Sequence, residues 1–188
     1  MDAAPECRAR RIGCSSTGRA GFSEGAAMSA GGAMAGAGSV KGWCPGALKP
    51  MQTGDGLIVR VRPRGGMLTQ TQMSALCRIA RTSGNGHIDL TRRANLQVRG
   101  VRNAVLPRVW AALSDCGLID TSAEAEAVRN VVVSPLAGLD PTEICDVRPI
   151  AAALEQELEQ NQALWALPGK FAFVVDSGGL LPLDEERA

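Results

Sequence analysis

The sequence predicts an α+β fold, in which an antiparallel sheet carries helices on one face and leaves its other face open. Two stretches alternate apolar and polar residues, as strands with one buried face do, and two others repeat apolar residues at helical spacing. These elements follow one another in the order strand, helix, strand, strand, helix. A chain of 188 residues with 45% hydrophobic residues is long enough to bury the core of such a domain.

The segment GLIVRVRP predicts the first strand, over residues 56–62. Its β-branched, alternating pattern separates apolar side chains from arginines, and Pro63 ends it. One face is expected to carry Leu57, Val59 and Val61, and the other Arg60 and Arg62.

A helix is predicted after this strand. Thr69 can cap its first turn, Gln72 completes a capping box three residues later, and Gly84 ends the helix. The buried stripe of this helix is expected to consist of Met73, Leu76, Cys77 and Ala80.

The segment GHIDLTRRANLQVRGV predicts two further strands, joined by a bend at residues 92–94. A second helix follows, which ends at Gly117 and turns inward Leu106, Val109, Trp110 and Leu113. With the two helices on the apolar face, the open face of the sheet is expected to carry Arg60, Arg62, Arg93, Asn95, Gln97 and Arg99.

A second unit is predicted after an acidic linker at residues 121–126. It contains a short strand in RNVVVSPLAGLDP, a short helix opened by Asp140 and Pro141, a longer helix opened by Pro149, and a strand in LPGKFAFVVDSGG. Two strands and their helices make a thin core, so this unit is expected to be incomplete. The chain is thus divided into a disordered segment (1–40, rich in Gly, Ala and Ser), a first domain (41–120) and an incomplete second domain (121–188).

Positive charge is concentrated around the predicted sheet, although the net charge of the chain is only +1. Residues 57–108 contain ten arginines and one acidic residue, whereas fourteen acidic residues lie from Asp115 onward. The planar fork of arginine matches carboxylate and phosphate groups, so an anionic ligand is expected on the open face. A solvated basic face is the alternative.

Other partners are not expected. The chain has three Phe and no Tyr, so it offers few rings on which RNA bases could stack. No apolar run approaches the length of a membrane span, and no apolar segment follows the N-terminal arginines as in a secretory signal. We therefore expect a cytoplasmic protein with no membrane partner. His87, the single histidine, follows a Gly-Asn-Gly turn and is expected to be solvated.

Four segments, GLIVRVRPRGGMLT, LTRRANLQVRG, RNVVVSPLAG and LPGKFAFVVD, resemble the nitrite and sulfite reductase superfamily in order and spacing. The preceding GWCPGALKPMQTGDG resembles its precorrin-3B synthase branch. The resemblance implies a ferredoxin-like half-domain at residues 41–120 and the start of a 4Fe–4S domain at 121–188. It also implies that an anionic tetrapyrrole, such as precorrin-3A or a sirohaem-like ring, is bound by Arg62, Arg93, Asn95, Gln97, Arg129, Asn130 and Lys170.

The resemblance further implies an oxidoreductase. The intact enzyme of this branch inserts oxygen from dioxygen into precorrin-3A and closes a lactone in aerobic cobalamin biosynthesis, with a 4Fe–4S cluster and a non-haem iron. This sequence has neither the C-x5-C nor the C-x3-C spacing that holds the family's cluster, so no metal ligation by this chain is expected. We expect the N-terminal portion of such an enzyme, inactive alone and completed by a C-terminal half or an electron donor, and we assign no catalytic residue.

Two alternatives stay open. The first is a fragment of a sirohaem-dependent nitrite or sulfite reductase, whose L-P-x-K-F-K element gives two lysines to the substrate anion. Lys170 matches the first of these lysines, but Ala172 replaces the second. The other alternative is a tetrapyrrole-binding module without catalysis.

Overall fold

The computed structural model describes residues 44–183 of the chain. The strands are β1 Met51–Thr53, β2 Gly56–Val61, β3 Ile88–Leu90, β4 Leu96–Val101, β5 Val131–Val133 and β6 Phe173–Val175. The α-helices are α1 Gln70–Ser83, α2 Leu106–Asp115, α3 Ala123–Val128 and α4 Arg148–Gln160. Short 3-10 turns occupy Arg64–Gly66, Asn103–Val105 and Gln162–Ala166. The segment 1–40, expected to be disordered, lies outside the described residues.

The first four strands form an antiparallel sheet in the order β1-β2-β4-β3. One cross-strand row sets Val59 opposite Val98, and Val98 opposite Ile88. The adjacent row sets Arg60 opposite Gln97, which lies opposite Asp89. Because neighbouring rows point to opposite faces, the predicted division into an apolar and a polar face is confirmed. The bend between β3 and β4 is also confirmed, and Ala94 adopts a positive φ of 53° there.

Two points of this sheet differ from the sequence prediction. Strand β2 ends at Val61, so Arg62 follows the strand rather than lying within it. The three-residue strand β1 was not predicted, because a half-exposed segment this short carries no readable alternation.

Helices α1 and α2 cover the apolar face, as predicted. The capping box is present: the Thr69 hydroxyl accepts a hydrogen bond from the Gln72 backbone N–H, and the Gln72 side chain accepts one from Thr69. The predicted stripe of α1 was wrong in part. Met73 is 40% exposed and Cys77 is only half-buried, because the contact with the sheet is centred on Ala75, Leu76, Ile79 and Ala80.

The second unit packs α3 and α4 around a parallel pair, β5 and β6. The predicted linker at residues 121–126 was wrong, because most of it is the start of helix α3. The Ser122 hydroxyl caps this helix by accepting the Ala125 N–H at 3.1 Å, and acidic residues in a first turn are favourable. The prediction of a short helix that begins at Asp140 was also wrong. The Asp140 carboxylate accepts hydrogen bonds from the backbone N–H and the hydroxyl of Thr142, and these bonds form a turn instead of a helix.

The two units meet at the end of β2. The Gly65 N–H lies 3.1 Å from both carboxylate oxygens of Glu155 on α4. The Trp110 indole N–H on α2 donates to the Ala47 carbonyl at 2.8 Å, which fixes the segment preceding β1. The polar end of the sheet is thereby brought against α3 and α4.

No helix within residues 44–183 is long and apolar enough to cross a membrane.

Candidate functional site: a cationic cavity between the two units

A cavity of about 460 Å³ lies between the segment preceding β1, the end of β2, helix α3 and the loop preceding β6. Three cationic and two acidic side chains line it, namely Lys49, Arg62, Lys170, Glu124 and Glu126. The other lining residues are Cys44, Gly46, Ala123, Ala127, Trp165, Pro168 and Gly169. We call this space the Arg62 cavity.

Arg62 is the most unusual residue of this cavity. It is only 3% exposed, and none of its three side-chain nitrogens has a hydrogen-bond partner. Its Nη1 atom lies 3.4 Å from Glu126 Oε1, which is close enough for an ion pair but is not aligned as a hydrogen bond. Burial lowers the pKa of Arg62, although Glu126 acts in the opposite direction. A buried cation with unused donors is costly unless an anion reaches it.

Glu126 is held in place by the segment preceding β1. Its carboxylate accepts hydrogen bonds from the backbone N–H groups of Ala47 and Leu48, the latter at 3.0 Å. Gly46 makes room for it, since a Cβ atom there would overlap the carboxylate. Burial raises the pKa of Glu126, despite these two N–H groups and Arg62, all of which favour the ionised form.

Lys170 lies on the wall of the cavity, and Arg93 contacts its backbone without lining the cavity itself. Lys170 is exposed and lines the cavity, and Arg93 Nη2 donates to the Lys170 carbonyl at 3.3 Å. Of the predicted residues, Arg62 and Lys170 thus line the same cavity, and Arg93 adjoins Lys170. Their contact with a ligand stays a prediction.

Asn95 and Gln97 lie near the same end of the sheet but are not among the residues that line the cavity. Asn95 is buried, and its backbone N–H donates to the Thr91 hydroxyl at 3.2 Å, which closes the bend between β3 and β4. Gln97 is half-buried opposite Arg60, whose pKa is lowered by burial. Their predicted contact with a ligand stays a prediction.

Arg129 is buried in an ionic cluster rather than in the cavity. It forms two hydrogen bonds with Asp120, from Nε at 2.8 Å and from Nη2 at 2.9 Å, and a third from Nη1 to Glu155 at 3.3 Å. Burial disfavours its charge, but Asp120 and Glu155 outweigh burial and raise its pKa. Nη2 also donates to the Arg62 carbonyl at 2.9 Å. Arg129 thus holds the backbone of Arg62 in place, and we call this group the Arg129 cluster.

Asn130 has a similar internal position. Its side-chain amide donates to the carbonyls of Ala127 at 2.9 Å and Gly169 at 3.1 Å. Gly169 precedes Lys170, so Asn130 ties the loop that carries Lys170 to the end of helix α3.

Sequence reasoning missed the acidic partners of these arginines, Asp120, Glu126 and Glu155. A signal was present, because Glu155 lies between Ala151 and Leu158 on the buried side of α4. An acidic residue in an apolar stripe indicates a buried pair. The sequence does not show which cation is its partner.

The free cysteines of the described region, Cys44, Cys77 and Cys116, do not fit an iron–sulfur cluster. Such a cluster is held by four thiolates. Cys44 precedes β1, Cys77 lies on α1 and Cys116 follows α2. No group of three or more His, Cys, Asp or Glu residues between positions 44 and 183 could hold a metal ion. We therefore derive no step through a cluster from these residues.

Two protein families match the chain. The family described as "Nitrite/Sulfite reductase ferredoxin-like half domain" matches residues 49–116, and "Nitrite and sulphite reductase 4Fe-4S domain" matches residues 124–179. Arg62 belongs to the first region, whereas Glu126 and Lys170 belong to the second. The cavity therefore lies where the two matched regions meet.

Individual relatives agree with these matches. A precorrin-3B synthase from Sinorhizobium sp. is 46% identical over 139 residues, covering 74% of this chain and 29% of that protein. A ferredoxin–nitrite reductase from Leptolyngbya laminosa is 30% identical over 138 residues, covering 71% of this chain and 27% of that protein. The chloroplastic ferredoxin–nitrite reductase of Arabidopsis thaliana is 35% identical over 105 residues, covering 55% of this chain and 18% of that protein.

The chain spans less than a third of the length of each of these relatives. Of the three, the precorrin-3B synthase has the highest identity to it. The resemblance seen in the sequence is thereby confirmed: the chain belongs to the nitrite and sulfite reductase superfamily, with its ferredoxin-like half domain followed by sequence of its 4Fe–4S domain, and is more similar to precorrin-3B synthase than to these two nitrite reductases.

Proposed function

We propose that this chain holds the acidic side chains of a tetrapyrrole in a precorrin-3B synthase-like oxidoreductase. The observation that carries the proposal is Arg62, a buried guanidinium whose three nitrogens lack hydrogen-bond partners and which lines the cavity. These nitrogens are buried in the chain alone, so a carboxylate of the ligand would satisfy them after the Arg62 side chain turns toward the cavity. The cavity volume of about 460 Å³ falls within the usual range for small-molecule and cofactor sites.

Precorrins suit this cavity because acetate and propionate groups surround the ring. A hydrogen bond to a charged group contributes roughly 1.5–3 kcal/mol. Arg62 and Lys170 are the cations that we expect to make such contacts, with Arg93 beside them. Arg129 and Asn130 act through these residues, since they hold the backbone at Arg62 and at Gly169.

The oxygen-dependent hydroxylation and lactone formation are proposed for the complete enzyme, not for this chain alone. The residues described here bind and orient the ligand, and we assign them no redox step. A 4Fe–4S cluster and an iron would be held by other residues of that enzyme.

A nitrite or sulfite reductase is the second candidate, which the similarity to nitrite reductases favours. Two features count against it. Ala172 stands where the L-P-x-K-F-K element of the reductases carries its second lysine. The charge of Arg129 is neutralised by Asp120 and Glu155. A small oxyanion requires more concentrated positive charge than these residues leave.

The test is titration of the full chain with uroporphyrin, a stable porphyrin with acetate and propionate side chains, followed by quenching of tryptophan fluorescence. We expect uroporphyrin to bind and its methyl ester, which lacks the charges, not to bind. Arg62→Gln should weaken binding about 10- to 100-fold, the equivalent of roughly 1.5–3 kcal/mol. Arg81→Gln, an exposed arginine on α1 across the sheet, is the matched control and should change little.

Equal binding of the ester, or unchanged binding by Arg62→Gln, would refute the proposal. Sirohaem is titrated in parallel. Tighter binding of sirohaem than of uroporphyrin would favour the reductase.

A further inference from the structure

Glu126 places a second anion at the Arg62 site. Its carboxylate lines the same cavity, is only 3% exposed and lies 3.4 Å from Arg62 Nη1. A ligand carboxylate that reaches the remaining donors of Arg62 would therefore share one guanidinium with Glu126.

Glu126 is not free to move aside when a ligand arrives. The N–H groups of Ala47 and Leu48 hold its carboxylate, and Gly46 is shaped around it. The carbonyl of Ala47 is in turn bonded to the Trp110 indole at 2.8 Å, so the segment that holds Glu126 is itself fixed.

The charges that face Glu126 come from every element around it. Arg60 and Arg62 at the end of β2 are the cations that act on it, and Asp120, just before α3, is a further anion. Lys170 lines the cavity from the loop before β6. Lys49 and Glu124 also line it, but they pair with each other at 3.6 Å and are largely exposed.

Protonation of Glu126 would remove the repulsion between its carboxylate and a carboxylate of the ligand. Two carboxylates at one buried site raise each other's pKa, because the charged forms repel each other where water is excluded. Burial already raises the pKa of Glu126 in the absence of a ligand. Arg129 does not offset this repulsion, because it is already paired with Asp120 and Glu155.

We propose that Glu126 takes up one proton from solvent when a tetrapyrrole carboxylate binds Arg62, an inference that rests on the function proposed above. The two backbone N–H groups donate to different oxygens of this carboxyl group. The protonated group keeps one of these oxygens as a full acceptor for its N–H and offers the O–H on the other oxygen to the ligand carboxylate. Glu126 is thus a positioning residue of the site and couples ligand binding to pH.

The direction of this coupling follows from linkage. A complex that holds an extra proton becomes more stable as the pH falls, until free Glu126 is itself protonated. The affinity attributable to Glu126 should therefore rise as the pH decreases from neutral, by up to tenfold per pH unit for one proton.

The experiment is isothermal titration calorimetry of the full chain with uroporphyrin, at one pH in buffers of different ionisation enthalpy. The slope of observed enthalpy against buffer enthalpy counts the protons taken up. We expect the unmodified chain to take up as much as one proton more than Glu126→Gln. Glu124→Gln, an exposed acid on the same helix and the same cavity, is the matched control and should retain the uptake.

The outcomes separate the two proposals. Binding with equal proton uptake in the unmodified chain and in Glu126→Gln would overturn this inference and leave the proposed function standing. Failure of the unmodified chain to bind uroporphyrin would overturn both. If Glu126→Gln does not fold, infrared difference spectra of the unmodified chain with isotope-labelled glutamate serve instead. A labelled protonated-carboxyl band should appear on binding, and its absence would overturn the inference.

Discussion

Arg62 and Arg129 are both almost completely buried, and the side chain of one is bonded to the backbone of the other, yet their environments are opposite. Arg129 donates hydrogen bonds to Asp120, Glu155 and the Arg62 carbonyl. Arg62 donates none from its side chain. The Arg129 cluster is electrostatically complete, whereas the Arg62 cavity is not.

This difference separates a structural charge from a ligand-binding charge. Burial disfavours the charge of both arginines. Arg129 is compensated by hydrogen bonds to two carboxylates, whereas Arg62 has one ion pair with Glu126 and no side-chain hydrogen bond. By burial alone, Arg62 and Arg129 would both be judged structural. The family resemblance implied a ligand contact for both, so it does not separate them either. The number of side-chain donors that have a hydrogen-bond partner is what distinguishes the two residues.

The largest effect is expected from breaking the Arg129 cluster. Asp120→Asn removes the charge that Arg129 bonds twice and leaves a buried cation with only Glu155 beside it. The free energy of unfolding in urea should fall by roughly 3–5 kcal/mol. Asp115→Asn, at the exposed end of α2, is the control and should stay within about 0.5 kcal/mol. A loss below about 1 kcal/mol for Asp120→Asn would remove the distinction between the two arginines.

A smaller effect is expected from crowding Glu126. The Cβ of Gly46→Ala would overlap the Glu126 carboxylate, so either the carboxylate or the segment preceding β1 must shift. We expect a loss of about 1–3 kcal/mol in the free energy of unfolding, as for other overpacked buried sites. Gly54→Ala is the matched control, because a Cβ there meets no atom within 4 Å. Equal effects of the two substitutions would show that the space at Gly46 is not filled by Glu126.

The smallest effect concerns the pH dependence of stability. The pKa of Glu126 is raised in the folded chain, so this group adds stability that is complete below its unfolded-state pKa and is lost as the pH rises through the folded value. The unfolding free energy of the unmodified chain minus that of Glu126→Gln should therefore fall as the pH rises. One proton limits the change to about 1.4 kcal/mol per pH unit. Urea titrations at several pH values measure this signed difference, and a difference that rises with pH would contradict the raised pKa.

Much of the fold could be predicted from the sequence, because strand alternation, the Thr69 capping box and the bend before β4 depend on residues close together in the chain. The stripe of α1 was misplaced because Met73 and Cys77 fit the helical period equally well, and only the position of the sheet decides which side is buried. The arginines of the site could be identified as candidates. Their roles could not, because the acids that neutralise Arg129 come from residues 120 and 155, and the acid beside Arg62 from residue 126.

The cavity has a consequence for how this architecture can be recombined. Its guanidinium is encoded in the first matched region, and its carboxylate and lysine are encoded in the second. A chimera that exchanges only the first region would separate Arg62 from the helix that carries Glu126 in this chain. We therefore expect a hybrid enzyme to keep this pairing only when both matched regions come from the same parent.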